Sequence, residues 1–181
     1  MTRINRQVPR LVVRDEQPYL SIPIKVSLRE WGKATALVGE LIEWMEENNI
    51  PWAGPPFFRY WAIGNQDQPF DIEVGIPVET ALPGNGRIIA GVIPAGTYAS
   101  LIHVGNPDAL DQSLDILQIW GATQGLSWNN HKAGPIEIWG ARFEFYLTDP
   151  AIQPDVEQWS VELAYQIREE RDCSLPFDGQ D

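Results

Sequence analysis

Three glutamates stand inside segments that otherwise read as apolar strands. In DIEVGIPV (71–78), Ile72, Val74, Ile76 and Val78 alternate as one face and Glu73 lies on the other. In WSVELAYQI (159–167), Trp159, Val161, Leu163, Tyr165 and Ile167 alternate, and Glu162 points the opposite way. In ARFEFYL (141–147), the same parity sends Phe143, Phe145 and Leu147 toward the helices and leaves Arg142, Glu144 and Tyr146 together on the other face. An unpaired carboxylate is costly to bury, so each glutamate is either solvated or functional. Two chemistries use a carboxylate walled by rings. One is counter-charge for a lipophilic cation, with cation–π contacts adding roughly 0.5–2 kcal/mol each. The other is general base catalysis on water, because an apolar wall raises a carboxylate's proton affinity. The rings are there: 8 Trp, 5 Tyr and 6 Phe.

The elements that would position these acids come in two similar halves. A strand at 20–26 precedes a helix whose stripe is Ala34, Leu37, Val38, Leu41, Ile42 and Met45, with Ser27 and Glu30 in capping-box spacing. Strands at 55–63, 71–78 and 86–96 follow, the first two parted by the turn-rich GNQDQP. The second half has a strand at 97–105, then Asn106–Pro107 as a helix start. Its helical stripe is Leu110, Leu114, Leu117 and Trp120, with Gly125 as the stop and strands at 136–149 and 159–167 to finish. Strand–helix–strand–strand twice predicts an α+β fold with both helices on one face of a mostly antiparallel sheet. The other face, collecting acids and aromatics, is where a ligand cleft is expected.

Length and charge narrow the classes. The 181 residues suit one domain, and 13 Lys+Arg against 25 Asp+Glu give a net charge of −12, which repels nucleic-acid phosphates and favours a cationic partner. The single Cys173 offers no disulfide framework. No leader-like or 18-residue apolar stretch occurs, so a cytoplasmic chain without membrane association is expected. His103 and His131 lack ligand spacing, so no metal and no cofactor are expected. Ser100, His103 and Asp108 do not form a triad pattern, and GNGR (84–87) is a turn rather than a phosphate loop. Trp44, Trp120 and Trp159 fall on or beside apolar stripes and are assigned to the core; Trp61 and Trp139 are the indoles to watch for ligand contact. The acidic tail DGQD is expected to be disordered.

PPFFRY (55–60), DIEVGIPV (71–78), GRIIAGVIPAGTYASLIHVGNPDAL (86–110), FEFYLTDP (143–150) and WSVELAYQI (159–167) occur in an order and spacing that resembles GyrI-like domains, the effector-binding domains of AraC-type and MerR-type multidrug regulators. The resemblance spans about 18–168, leaving 1–17 and 169–181 as terminal extensions. It implies tandem βαββ (SHS2-type) units with a ligand cleft between the halves. Within that cleft it places an acid matching Glu162, with Glu73 as its counterpart on the first repeat. Tyr60 matches the aromatic of an F-x-R-Y strand, and Glu144 the acid of a W-E-x-Y segment in which Phe143 replaces tryptophan. Trp61, Tyr98, Trp139 and Tyr146 are the further ring candidates. With about 17 residues before the first strand there is no room for a helix-turn-helix, so a stand-alone member is implied. Its expected role is binding or sequestering a hydrophobic, aromatic or cationic small molecule. The alternatives are a hydrolase of cyclopropane-bearing genotoxins, using Glu162 or Glu144, and a protein-binding topoisomerase inhibitor whose partner the sequence does not specify.

Overall fold

The first apolar stripe folds as α1 (Trp31–Glu47), which buries Ala34, Leu37, Leu41 and Met45. Asn49, in the left-handed region at φ 54°, ends it, and the Ile50 N–H returns to the Met45 carbonyl. The capping box does not form. Leu28–Glu30 is a 3-10 turn, and the Ser27 hydroxyl donates to the Glu30 carboxylate, which also pairs with Lys33. The second stripe is α2 (Leu110–Thr123), entered through Asn106, whose side chain accepts from the Asp108 N–H, and left through Gly125 at φ +68°.

The strands are β1 (Arg10–Arg14), β2 (Gln17–Val26), β3 (Phe57–Ile63), β4 (Phe70–Pro77), β5 (Ile89–Ile93), β6 (Gly96–Val104), β7 (Asn130–Ala133), β8 (Ile136–Trp139), β9 (Arg142–Tyr146) and β10 (Ser160–Gln166). These come from a computed structural model that describes residues 8–64 and 68–169. Cys173, the DGQD tail and most of the expected C-terminal extension lie outside the described residues, as do 1–7 and the centre of the GNQDQP turn.

One antiparallel sheet runs β1-β6-β10-β9-β3-β4-β2-β5, with the β7–β8 hairpin attached to β3. The two βαββ repeats are therefore β3-β4-β2 under α1 and β6-β10-β9 under α2, joined where β3 meets β9. The strand preceding each repeat crosses to the other one: β1 pairs with β6 and β5 with β2. Residues 10–14, expected to precede the domain, are thus part of its sheet. The segment 136–149, expected as one strand, breaks at Gly140–Ala141 because β8 pairs with Ala62 and Ile63 while β9 pairs with Phe57–Arg59. Trp61 sits at the bulge between those two registers.

The sheet curls away from the helices. Three strand steps separate β3 from edge strand β5, about 14 Å if flat, yet Arg59 on β3 donates at 2.9 Å to the Val92 carbonyl on β5. This curl gives the face without helices its own core: Tyr19, Phe57, Ile93, Tyr98, Ala141, Phe143, Phe145 and Ala164. Gly75 permits it, since a Cβ there would lie 2.3 Å from the Phe57 ring.

Candidate functional site

The curl corrects one expectation about strand parity. Phe143 and Phe145 do not face the helices. They pack with Phe57, Tyr19 and Tyr98 on the opposite face, and Leu147 is exposed. Glu144 therefore points toward the helix side, as do Arg142 and Tyr146. Both faces of β9 are buried, one under helices and one inside the curl, so apolar alternation alone does not tell which face the helices cover.

The expected site residues consequently divide between two faces. On the curled face, Glu73 and Glu162 point away from the helices as their parity predicts, on the last strands of the two repeats. Each is held by a hydroxyl from the first strand of its own repeat. The Tyr19 hydroxyl donates to Glu73 at 2.6 Å and accepts from Arg59 at 2.8 Å. The Ser100 hydroxyl donates to Glu162 at 2.6 Å, and Arg14 pairs with the same oxygen at 2.5 Å. Burial pushes the phenols of Tyr19 and Tyr98 up, Tyr98 to about 12. Trp61 lies over the Arg59 guanidinium, 3.7 Å from ring centroid to Cζ. A cavity of about 350 Å³ opens on this face between Arg14, Glu162, Phe145, Ile93, Pro55 and Pro77. Glu73 does not line it. Glu162 is paired within the fold by Arg14, and Glu73, tied to Tyr19 and through it to Arg59, acts as a structural staple across β2, β3 and β4.

The helix side differs. Between α1, which packs on β2 and β4, and α2, which packs on β6, run the central strands β3 and β9, whose helix-side residues Phe58, Tyr60 and Glu144 are buried. Phe58 lies directly across from Glu144, and its ring meets Tyr146 edge-on at 5.3 Å. Tyr60 follows on β3, with the Arg142 guanidinium 5.4 Å from its ring. Trp31, in the first turn of α1, stacks on Tyr60 at 6.1 Å and 14° and meets Phe58 and Phe70 edge-on. On the α2 side, Trp139, Trp128 and Tyr165 form a second aromatic cluster with ring separations of 5.0–6.3 Å. Glu144 is 6% exposed, accepts a long 3.4 Å bond from the Tyr146 hydroxyl, and makes no ion pair among the described residues. Burial raises its proton affinity; Arg142 and the Tyr60 and Tyr146 hydroxyls draw it back only in part. The same burial, with the Glu144 charge beside them, pushes both phenols up.

Residues 7–168 match the description of a GyrI-like small molecule binding domain. The chain belongs to the GyrI-like family. It is a small-molecule-binding domain. A DNA gyrase inhibitor of Erwinia billingiae (strain Eb661) is 26% identical to this GyrI-like chain over 128 residues, 68% of this chain and 75% of that protein. The fold is similar to EcmrR in its DNA complex, with a TM-score of 0.74 and 21% identity over 93% of this chain; the GyrI-like chain spans 60% of that one. It is also similar to SAV2435 bound to tetraphenylphosphonium, with a TM-score of 0.55, 10% identity and coverage of 88% and 93%.

Of the sequence candidates, Tyr60, Glu144, Tyr146 and Trp139 lie on the helix side, where Trp31, Arg142 and Tyr165 pack beside them. Arg142 was legible as the residue two before Glu144 on the same face. Trp31 was legible only as a tryptophan near an element end, fit either to cover a cleft or to pack. His103, considered for chemistry, is occupied. Its Nε2 donates to the Asn106 carbonyl at 3.1 Å, and its Nδ1 lies within hydrogen-bond distance of the Ser113 hydroxyl at 2.8 Å. Among the described residues no helix is long and apolar enough to cross a membrane, and no three His, Cys, Asp or Glu side chains come together.

Proposed function

We propose that a groove between α1 and α2, floored by β3 and β9, takes up a multi-ring aromatic cation, with Glu144 as counter-charge, Tyr60, Phe58 and Tyr146 as walls, and Trp31 as the indole that covers it. The observation that carries this reading is Glu144 itself: a buried carboxylate between two tyrosines with no ion-pair partner. A bound cation supplies what the fold leaves out, and dry ring faces strengthen the contact. Glu162 is a poorer choice because Arg14 and Ser100 already hold it, and Glu73 because it accepts from the Tyr19 hydroxyl at 2.6 Å and does not line the cavity on its face. The tetraphenylphosphonium bound to SAV2435 agrees in ligand class, although at 10% identity that likeness carries only the fold. The net charge of −12 argues against direct nucleic-acid contact and favours a cationic ligand.

A second reading uses the same carboxylate as a general base. Burial raises the proton affinity of Glu144, which suits it to take a proton from water attacking a cyclopropane-bearing alkylator. Tryptophan-fluorescence titration with aromatic cations and with such an alkylator, each followed by mass spectrometry, separates the two. Saturable quenching with unchanged ligand mass is expected. Turnover of the alkylator to a product heavier by one water, lost in Glu144→Gln, would replace binding with hydrolysis. Absence of quenching by every compound would refute the groove assignment.

A further inference from the structure

Six buried side-chain polar atoms lack a partner among the described residues, and three of them sit together at the α2 end of the groove: Nε of Arg142, the hydroxyl of Tyr165 and Nε1 of Trp139. Buried donors are satisfied in the great majority of cases, so a cluster of three calls for an explanation. Tyr165 is fully buried, Trp139 is 1% exposed, and Arg142 lies between their rings, 4.4 Å from the first centroid and 5.0 Å from the second. Register places Tyr165 directly across from Arg142. Arg142 has no ion pair among the described residues, unlike Arg14 on the curled face. Glu137 is close enough for its charge to act on Tyr165, and its carboxylate accepts from Asn130 at 3.0 Å without pairing with Arg142. The Arg142 and Trp139 N–H groups can only donate, and the Tyr165 hydroxyl, even where it accepts from Arg142, still has its own proton to give, so their common complement is an acceptor, and the guanidinium prefers an anionic one.

We infer that this corner is an acceptor subsite, and that the molecule this GyrI-like domain holds is an aromatic zwitterion: a cationic ring system at Glu144 with a carboxylate, or a comparable anionic acceptor, at Arg142 and Tyr165. The inference rests on the groove reading above and specifies its ligand. Glu144 and Arg142 are two residues apart on one strand face, so their backbones stand about 6.6 Å apart. That spacing suits a carboxylate carried on a ring attached to the cationic system. A ligand bearing only positive charge would take Glu144 and place its charge beside the Arg142 guanidinium, which Glu144 otherwise offsets in part.

The test compares two probes that differ only at the acceptor: a rhodamine with a free carboxylate and its methyl ester, which is a cation only. Fluorescence polarisation reads both against wild type, Arg142→Gln and Tyr165→Phe. Wild type should bind the zwitterion about tenfold or more tighter than the ester, the scale of one charge-assisted hydrogen bond. Tyr165→Phe removes one oxygen from a buried ring; it should weaken the zwitterion severalfold and the ester, whose neutral carbonyl accepts more weakly, clearly less. Arg142→Gln should move the two probes in opposite directions, weakening the zwitterion and strengthening the ester. Equal wild-type affinity for the two probes, a preference for the ester, or variants that weaken both alike would overturn the acceptor subsite while leaving cation binding in the groove intact. Failure of wild type to bind either probe would overturn the groove reading along with it.

Discussion

Replacing Tyr19 with phenylalanine removes a single oxygen and tests whether the curled face is a structural element or a second binding surface. That oxygen donates to Glu73 at 2.6 Å and accepts from Arg59 at 2.8 Å, at a residue 1% exposed. Arg59 keeps the Val92 and Gly140 carbonyls, each at 2.9 Å, so the main loss falls on the Glu73 carboxylate. A hydrogen bond to a charged group contributes about 1.5–3 kcal/mol, and leaving the acceptor buried without a donor puts Tyr19→Phe at the upper end, about 3 kcal/mol. For a chain of this size that corresponds to a melting shift of about 6–12 °C. Urea unfolding should show a lower midpoint with unchanged slope, since the surface exposed on unfolding stays the same. In a cycle with Glu73→Gln the two changes should be non-additive by about 1 kcal/mol or more. Affinity for an aromatic cation should not change. A loss below about 0.5 kcal/mol would refute the staple, and a large loss of ligand affinity at unchanged stability would mean that this face binds the ligand.

Two further expectations follow from the packing and the charges. Burial raises the proton affinity of Glu144 in the folded protein above its unfolded value, so the folded state holds more protons. Stability contributed by this group is complete below the ordinary carboxylate range and is lost as pH rises through the raised folded value. Glu144→Gln should therefore flatten the wild-type decline in stability over that window, and a wild-type-minus-variant difference independent of pH would contradict it. Gly75→Ala should destabilise by about 1–3 kcal/mol, because its Cβ would meet the Phe57 ring at 2.3 Å and Tyr19, Phe143 and Phe145 leave that ring nowhere to go; thermal melting of the variant within a degree of wild type would contradict the packing.

Much of the fold was legible because it rests on local periodicity. Ala34, Leu37, Leu41 and Met45 recur at helical spacing and are the residues α1 buries, and the parity of Glu73 and Glu162 held because only one face of β4 and β10 meets a helix. Glu144 was assigned to the wrong side for a reason the sequence does not contain. Phe143 and Phe145 are as apolar as any helix-facing pair, but the rings they meet, Phe57 and Tyr98, arrive only when the sheet curls. Strand β1 was missed because RLVVR has no alternation, and its partner β6 lies more than 80 residues away. The groove likewise depends on long-range meetings: Trp31 over Tyr60, and Arg142 between Trp139 and Tyr165. The family pattern supplied Tyr60 and Glu144, and the structure brought them to one place.

The measurement that tests the groove most directly is calorimetric titration of tetraphenylphosphonium into wild type, Glu144→Gln and Glu162→Gln at several pH values. Wild-type affinity should rise with pH through the raised titration of Glu144, because the cation favours the ionised carboxylate. Glu144→Gln should weaken binding about tenfold or more and abolish that pH dependence, while Glu162→Gln should bind as wild type does. Binding that survives Glu144→Gln and is lost in Glu162→Gln would contradict the assignment and move the ligand to the cavity beside Arg14.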